Sequence, residues 1–403
     1  MMRVLVIDDD PFARSLLVRQ LAALAIRAIE LADSGQAALS RLEQGQPDFE
    51  VLIVDLNMPG MDGVQFLRHL AQRRFRGGLV LVSGEDDRIL RAAAKLAAVG
   101  RLRVVGTLHK PFALEELRQA LGSALTPFAD TSRMQDLRRP FDAQDLREAI
   151  AAGQLVNHYQ PQVRLDDGAV AGVEALVRWQ HPDAGLVFPS EFIALSERSG
   201  LSDELAQTVL TGALRAARHW RAAGLALRVS VNMAMDNLFA LDLPEAIVSA
   251  AADAGVPVDG IVLEVTESQV TRDLGRLLDV ATRLRMKRVG LAIDDFGTGF
   301  SSLVQLRDIP FDELKVDRSF VHGASASPPL QAILKSSLDL ARQLGLRSVA
   351  EGVEDREDWD CLRALGCDLA QGYLIARPMP AADLPNWVSE WRGRKHVLDA
   401  RSP

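Results

Sequence analysis

Cysteine is nearly absent from this 403-residue chain: only Cys361 and Cys367 occur. They form no Cys-x-x-Cys pair and no His/Cys cluster at zinc spacing, which excludes a structural zinc module. A disulfide between them stays open, but reduced, packed thiols are the preferred reading, and the cytoplasm is the expected compartment. Aromatic residues reach only 5% of the chain. The basic clusters at residues 68–76 and 283–288 therefore lack interleaved rings and read as solvated helix faces. Positive charge is not in excess either, because 46 basic against 54 acidic residues leaves a net charge of −8. Together with the lack of a helix-turn-helix or basic output helix, this argues against a DNA partner. No apolar run approaches the roughly 20 residues that span a bilayer. The apolar start, Val4-Leu5-Val6-Ile7, turns acidic at Asp8 and reads as a buried strand, not a signal peptide.

What is present is strand–helix alternation, in a chain long enough for two domains. Short β-branched runs at residues 4–8, 51–55, 79–83 and 104–108, with a weaker one at 27–31, alternate with Ala/Leu/Arg-rich helical stretches. Five such pairs within residues 1–125 predict a doubly wound, five-stranded parallel sheet. Residues 126–141, bracketed by Pro127 and Pro140, lack apolar periodicity and read as a linker. A longer β/α series fills residues 142–393, and a length of about 250 residues is usual for a (β/α)8 TIM-like barrel. Residues 394–403 read as a polar tail. The fold class is thus α/β twice over.

In the first region acids stand where open α/β sheets place their ligands, at the C-terminal ends of strands. Asp8 and Asp9 follow the first strand, Asp55 ends the third, Ser83 ends the fourth, and Lys110-Pro111 follows the fifth. Carboxylates converging on one crevice repel each other unless a divalent cation lies among them. A serine hydroxyl and a lysine ammonium then suit the oxygens of a phosphoryl group. This constellation, with Asn57, Pro59, Asp62 and Gly63, resembles the response-regulator receiver (CheY-like) family across residues 2–125. The resemblance implies Asp55 as phospho-acceptor and Mg2+ held by Asp8, Asp9 and the Asn57 carbonyl. It also implies Ser83 and Lys110 as phosphoryl contacts, a cis bond before Pro111, and a histidine kinase as phosphodonor.

In the second region polar residues sit on apolar strands, where an unpartnered charge is costly. Seven successive runs carry Glu174, Asn232, Glu264, Asp294-Asp295, Lys315 with Asp317, Glu351 and Gln371. A barrel brings the ends of those runs to one face. The set is rich in oxygen and almost free of sulfur and imidazole, which suits Mg2+ or Mn2+, and Asp294-Asp295 suits a pair of cations. Two cations flanking a phosphorus point to phosphodiester hydrolysis.

These residues resemble the EAL family of cyclic di-GMP phosphodiesterases, named for the tripeptide Glu174-Ala175-Leu176. The match extends through Tyr159-Gln160-Pro161, Arg178, Glu267, Asp294-Asp295-Phe296-Gly297, Glu354 and Gln371-Gly372-Tyr373. It implies Glu174, Asn232, Glu264 and Asp294 as ligands of a first cation. Asp294 bridges to a second with Asp295 beside it, and Asp317 and Glu354 act near the metals or through water. Glu351 is the candidate general base, the bridging metals being the alternative, and Lys315 orients water or stabilises charge on phosphorus. Gln160, Arg178 and Gln371 are candidate substrate contacts, Glu267 anchors a loop, the product is linear pGpG, and a homodimer or higher homo-oligomer is expected.

Two positions depart from these families. Thr107 stands where receivers carry an aromatic switch residue, and Phe300 replaces a common tyrosine. Two other readings stand beside the receiver-regulated enzyme. One is a silent EAL-like sensor that binds cyclic di-GMP without cutting it, which would lack a metal ligand, the lysine or the base. The other is a chain that mainly competes for phosphoryl groups, which Asp55→Asn would expose.

Overall fold

The computed structural model describes residues 2–43, 49–84, 87–125, 141–267, 273–299 and 303–399. Phe300, most of the linker (126–140) and the end of the tail (400–403) lie outside them. The chain divides into two compact units, Met1–Arg139 and Pro140–Pro403.

The first unit is a five-stranded parallel sheet in the order β2-β1-β3-β4-β5, formed by Arg3–Ile7, Ala28–Ala32, Val51–Asp55, Gly78–Ser83 and Arg103–His109. The central strands are buried on both faces, hence their unbroken apolar runs. Alternation along β1 sends Val4 and Val6 into one core and Leu5 and Ile7 into the other. Strand order reverses between the adjacent β1 and β3, whose C-terminal ends carry Asp8 and Asp55. Gly63 opens the helix after β3 so close to it that a Cβ would lie 2.6 Å from the Asp55 carbonyl oxygen.

The second unit closes eight staves: β6 (Leu155–Arg164), β7 (Val170–His181), β9 (Arg228–Asn232), β10 (Ile261–Thr266), β11 (Gly290–Phe296), β12 (Glu313–Val316), β13 (Arg347–Ala350) and β14 (Leu369–Ala370). Two short strands, β8 (Gly185–Val187) and β15 (Met379–Pro380), flank β7 and β6. The barrel is not uniformly parallel, because β6 runs antiparallel to both β7 and β14. The reason lies in the turn through Asp166, Asp167 and Gly168, closed by an Arg164–Asp167 ion pair and a left-handed Gly168. A parallel crossover needs a dozen or more residues, and this connection is far too short. Pro161, which has no N–H, stands in the gap between the β14 and β15 pairings.

Phe141, assigned to the linker on sequence, packs on Trp179 at 4.5 Å between ring centroids. His181 accepts the N–H groups of Asp183 and Ala184. Both Trp179 and His181 are thus packing and turn residues in this structure. At the N-terminal end of the barrel, the buried Glu313 is clamped by Arg228 and by Arg347 at 3.2 Å, the end where stability and not chemistry resides.

Candidate active site

The opposite, C-terminal end of the barrel collects a buried charge cluster. Lys315, wholly buried on β12, places Nζ 2.6 Å from Glu264 Oε2, 2.6 Å from Glu351 Oε1, 3.1 Å from Asp294 Oδ1 and 3.6 Å from Glu174 Oε2. One ammonium therefore faces four carboxylates, three from β7, β10 and β11 and one just after β13. Around Glu174 lies a second layer: Asn232 Nδ2 donates to its Oε1 at 2.7 Å and Gln371 Nε2 to its Oε2 at 2.6 Å. The Gln371 amide also donates to Gln160 Oε1 at 3.0 Å and accepts from Gln162 Nε2 at 3.0 Å.

Neighbours on a regular strand point to opposite faces. Asp294 and Asp295 escape that rule because β11 breaks register there and Asp295 takes φ 55°. A left-handed residue other than glycine costs about 1–3 kcal/mol, and here it lets two consecutive carboxylates turn to one place. Ligand oxygens of Asp294, Asp295 and Glu351 all fall within 4.8 Å of one another.

Such crowding shows in the titration of the cluster. Burial, then Asp294 and Asp317, push Asp295 up to about 6. Burial outweighs Lys315 at Glu351 and pushes it up to about 8, and Glu264 is raised well above the usual carboxylate range for the same reason. At Lys315 burial is overcome by Glu174, Glu264, Glu351 and Asp294, which hold the ammonium well above its ordinary value. At Glu174 burial is overcome by Lys315, Gln371 and Asn232, which lower the carboxyl.

A divalent cation fits this donor set. Glu264 Oε1 is buried and, among the described residues, meets no hydrogen-bond donor, which a carboxylate oxygen normally demands. Four acids meet Lys315, the single lysine there among the described residues, and all are hard oxygen donors.

Not every residue singled out on sequence joins the cluster. Asp317 caps the short helix Arg318–Val321, accepting the Ser319 N–H at 2.9 Å, and Glu354 pairs with Arg318 at 2.9 Å. Arg178 donates to the Val177 carbonyl at 2.8 Å and stacks over Phe188 at 5.2 Å. Gln160 also donates to the Ala376 carbonyl at 3.0 Å. Glu267 Oε2 accepts the N–H groups of Gly297 at 2.7 Å and Gly299 at 3.0 Å, in the loop that follows Asp295. Gln162 and Arg318 escaped the sequence reading. The period-two spacing of Gln160 and Gln162 was the signal for the first, whereas nothing local marks Arg318.

The first unit has its own acidic crevice. Lys110 Nζ bridges Asp8 Oδ2 and Asp55 Oδ2, both at 2.7 Å, and oxygens of Asp8, Asp9 and Asp55 lie within 4.8 Å of one another. Burial raises the Asp55 carboxyl despite Lys110, and the two acids hold Lys110 above its ordinary value despite burial. The Asn57 N–H donates to Asp55 Oδ1 at 3.2 Å, Ser83 is buried at the end of β4, and the Lys110–Pro111 bond is cis. Thr107 lies exposed on β5.

Comparison with known proteins matches each unit to a domain family. The response regulator receiver domain matches residues 4–122 and the EAL domain matches residues 143–378. Cyclic di-GMP phosphodiesterase RocR of Pseudomonas aeruginosa is 36% identical over 397 residues, 96% of this chain and 99% of that protein. Cyclic di-GMP phosphodiesterase NbdA of the same organism is 42% identical over 250 residues, 62% of this chain but only 32% of that one. The solved structure of the PaMucR phosphodiesterase in complex with c-di-GMP is 41% identical, with a TM-score of 0.57 over 60% of this chain and 98% of its own. The chain therefore belongs to the EAL domain family, with a response regulator receiver domain preceding its barrel.

Proposed function

We infer that this protein is a metal-dependent phosphodiesterase that opens cyclic di-GMP to linear pGpG, under control of phosphorylation at Asp55. The observation that carries the reading is the buried Lys315 cluster, with its orphaned Glu264 oxygen, at the barrel end where enzymes of this fold do their chemistry. Relatives named as cyclic di-GMP phosphodiesterases support the substrate.

In hydrolysis the oxygen of water bonds to phosphorus, the bond from phosphorus to one ribose oxygen breaks, and that oxygen leaves with a proton. Two divalent cations per barrel, Mg2+ or Mn2+, supply positive charge to the phosphoryl oxygens. Glu174, Asn232, Glu264 and Asp294 would hold the first, and Asp294 and Asp295 the second, while Asp317 and Glu354 would act near the metals or through water. Glu351, whose ligand oxygen lies within 4.8 Å of those of Asp294 and Asp295, accepts the proton from water once the cations are bound. Lys315 meets the charge that builds on phosphorus, Arg178 suits a phosphate, and Gln160 and Gln371 face the substrate. Glu267 anchors the loop after Asp295. In the receiver, Asp8, Asp9 and Asn57 would hold Mg2+, and Ser83 and Lys110 would steady the phosphoryl group passed from a histidine kinase to Asp55. The functional boundaries are 1–125, 142–393 and a joining segment, and the assembly carried over from family resemblance is a homodimer or higher homo-oligomer.

Purified protein with Mn2+ should convert cyclic di-GMP to pGpG, and acetyl phosphate should change the rate in the wild type but not in Asp55→Asn. Tight binding without product under either condition would make the barrel a sensor instead. A second result follows from the raised carboxyls. Glu351, at about 8, keeps its proton at pH 7 until a cation arrives, so Mn2+ binding should release protons and tighten between pH 6 and 8. Calorimetry in buffers of different ionisation enthalpy reads this directly, and buffer-independent heats would contradict it.

A further inference from the structure

The loops that follow β12 and β13 are stitched together by a carboxylate that none of the assigned roles uses. Asp358 lies in the first turn of the helix Arg356–Leu365, which follows β13, yet only 1% of its surface is exposed. Its Oδ1 accepts the Gly323 N–H at 3.0 Å and its Oδ2 lies 3.1 Å from His322 Nδ1, both on the loop that follows β12. That loop begins at Asp317. The loop leading to Asp358 begins at Glu351 and carries Glu354.

A carboxylate three residues into a helix ordinarily reaches back to the N-cap backbone. In this chain the N-cap Asp355 accepts the Asp358 N–H at 2.8 Å, but the Asp358 side chain turns to the neighbouring loop. Burying a charge is costly unless each bond is made, and both oxygens are engaged across the gap. The helix N-terminus favours the negative charge. A second stitch reinforces the first: Arg318 pairs with Glu354, and Gly352, at φ 66°, lies so close that a Cβ would sit 2.2 Å from the Arg318 stem.

Taken with hydrolysis as proposed above, this geometry leads us to propose that Asp358, with His322, is a positioning residue. It locks the loop bearing Glu351 and Glu354 to the loop bearing Asp317, and so sets the spacing of the carboxylates that meet cations and water. It touches no substrate and acts only through those acids.

The test uses the full chain and three variants, Asp358→Ala, Asp358→Asn and His322→Ala. The readouts are kcat and KM for cyclic di-GMP, Mn2+ affinity by calorimetry, and the thermal midpoint. Residues that orient ligands from behind typically change affinity or activity by about 10- to 100-fold. Asp358→Ala should therefore lose kcat and Mn2+ affinity on about that scale with little change in KM. Asp358→Asn, which keeps an acceptor for Gly323, should recover most of the loss. A folded Asp358→Ala protein with wild-type kcat and Mn2+ affinity overturns the proposal, even if its midpoint falls, because that pattern is plain stabilisation. Should the wild type bind cyclic di-GMP without cutting it, hydrolysis fails as a reading, and the Mn2+ affinities alone still decide the positioning role. If Asp358→Ala does not fold, His322→Ala decides: its ring is half exposed, and unchanged kcat and Mn2+ affinity in it overturn the proposal equally.

Discussion

Glu351→Ala should lower turnover of cyclic di-GMP by about 10²- to 10⁴-fold, the usual contribution of a positioned general base, while the barrel stays folded. The fold should survive because Lys315 keeps Glu264 at 2.6 Å and Asp294 at 3.1 Å after the change, so no buried cation is stranded. The strand end itself is held by backbone bonds, including the Glu351 N–H to the Val316 carbonyl at 3.1 Å. Circular dichroism and the thermal midpoint check the fold, and product formation under saturating Mn2+ checks the chemistry. Near-normal turnover by the folded variant would remove Glu351 as the base and leave the task to the cations. Glu174→Ala is a harsher change, since it removes the common acceptor of Asn232 and Gln371 together with one partner of Lys315.

Lys315→Ala should do more, striking stability as well as turnover. Among the described residues the lysine is the one ammonium that meets Glu174, Glu264, Asp294 and Glu351, and without it those carboxylates face each other in a buried site. Removing one partner of a buried ion pair costs about 3–5 kcal/mol. At about 2–4 °C per kcal/mol for a domain of this size, the midpoint in chelator should fall by about 6–20 °C. The loss has a definite pH sense. Stranded carboxyls titrate above their unfolded values, so the folded variant binds more protons than its unfolded chain and loses stability as pH rises. The gap to wild type should therefore be widest near pH 8, narrow toward pH 5, and shrink when Mn2+ is added. An unchanged midpoint in chelator at pH 8 would refute the account.

The acids were legible because each closes or interrupts an apolar strand, and a charge there has no local reason to exist. Asp8, Asp55, Glu174, Glu264 and Asp294 all announce themselves in this way. Strand β6 was harder to read. Its inward face carries Gln160 and Gln162 in place of apolar residues, and Pro161 interrupts it, so the run lacks the hydrophobic alternation that marks a stave. Its antiparallel direction followed only from the turn after Arg164. Asp358, His322 and Arg318 were invisible for a different reason: they meet across loops far apart in the chain, and no spacing rule links them. The sense in which Asp317 and Glu354 differ from the other acids was likewise hidden, because their partners Ser319 and Arg318 are ordinary surface residue types.

The antiparallel stave also fixes when the site can exist during folding. Hairpin β6–β7 is local and closes cheaply, placing Gln160 directly opposite Glu174. The seam between β6 and β14 is different, since it joins Arg164 to Leu369 across nearly the whole domain, and long-range closure must wait for the intervening strands to be in place. Gln371 spans that seam, reaching Gln160, Gln162 and Glu174 at once. A chain arrested one strand short of closure would hold most of its secondary structure and still have no site.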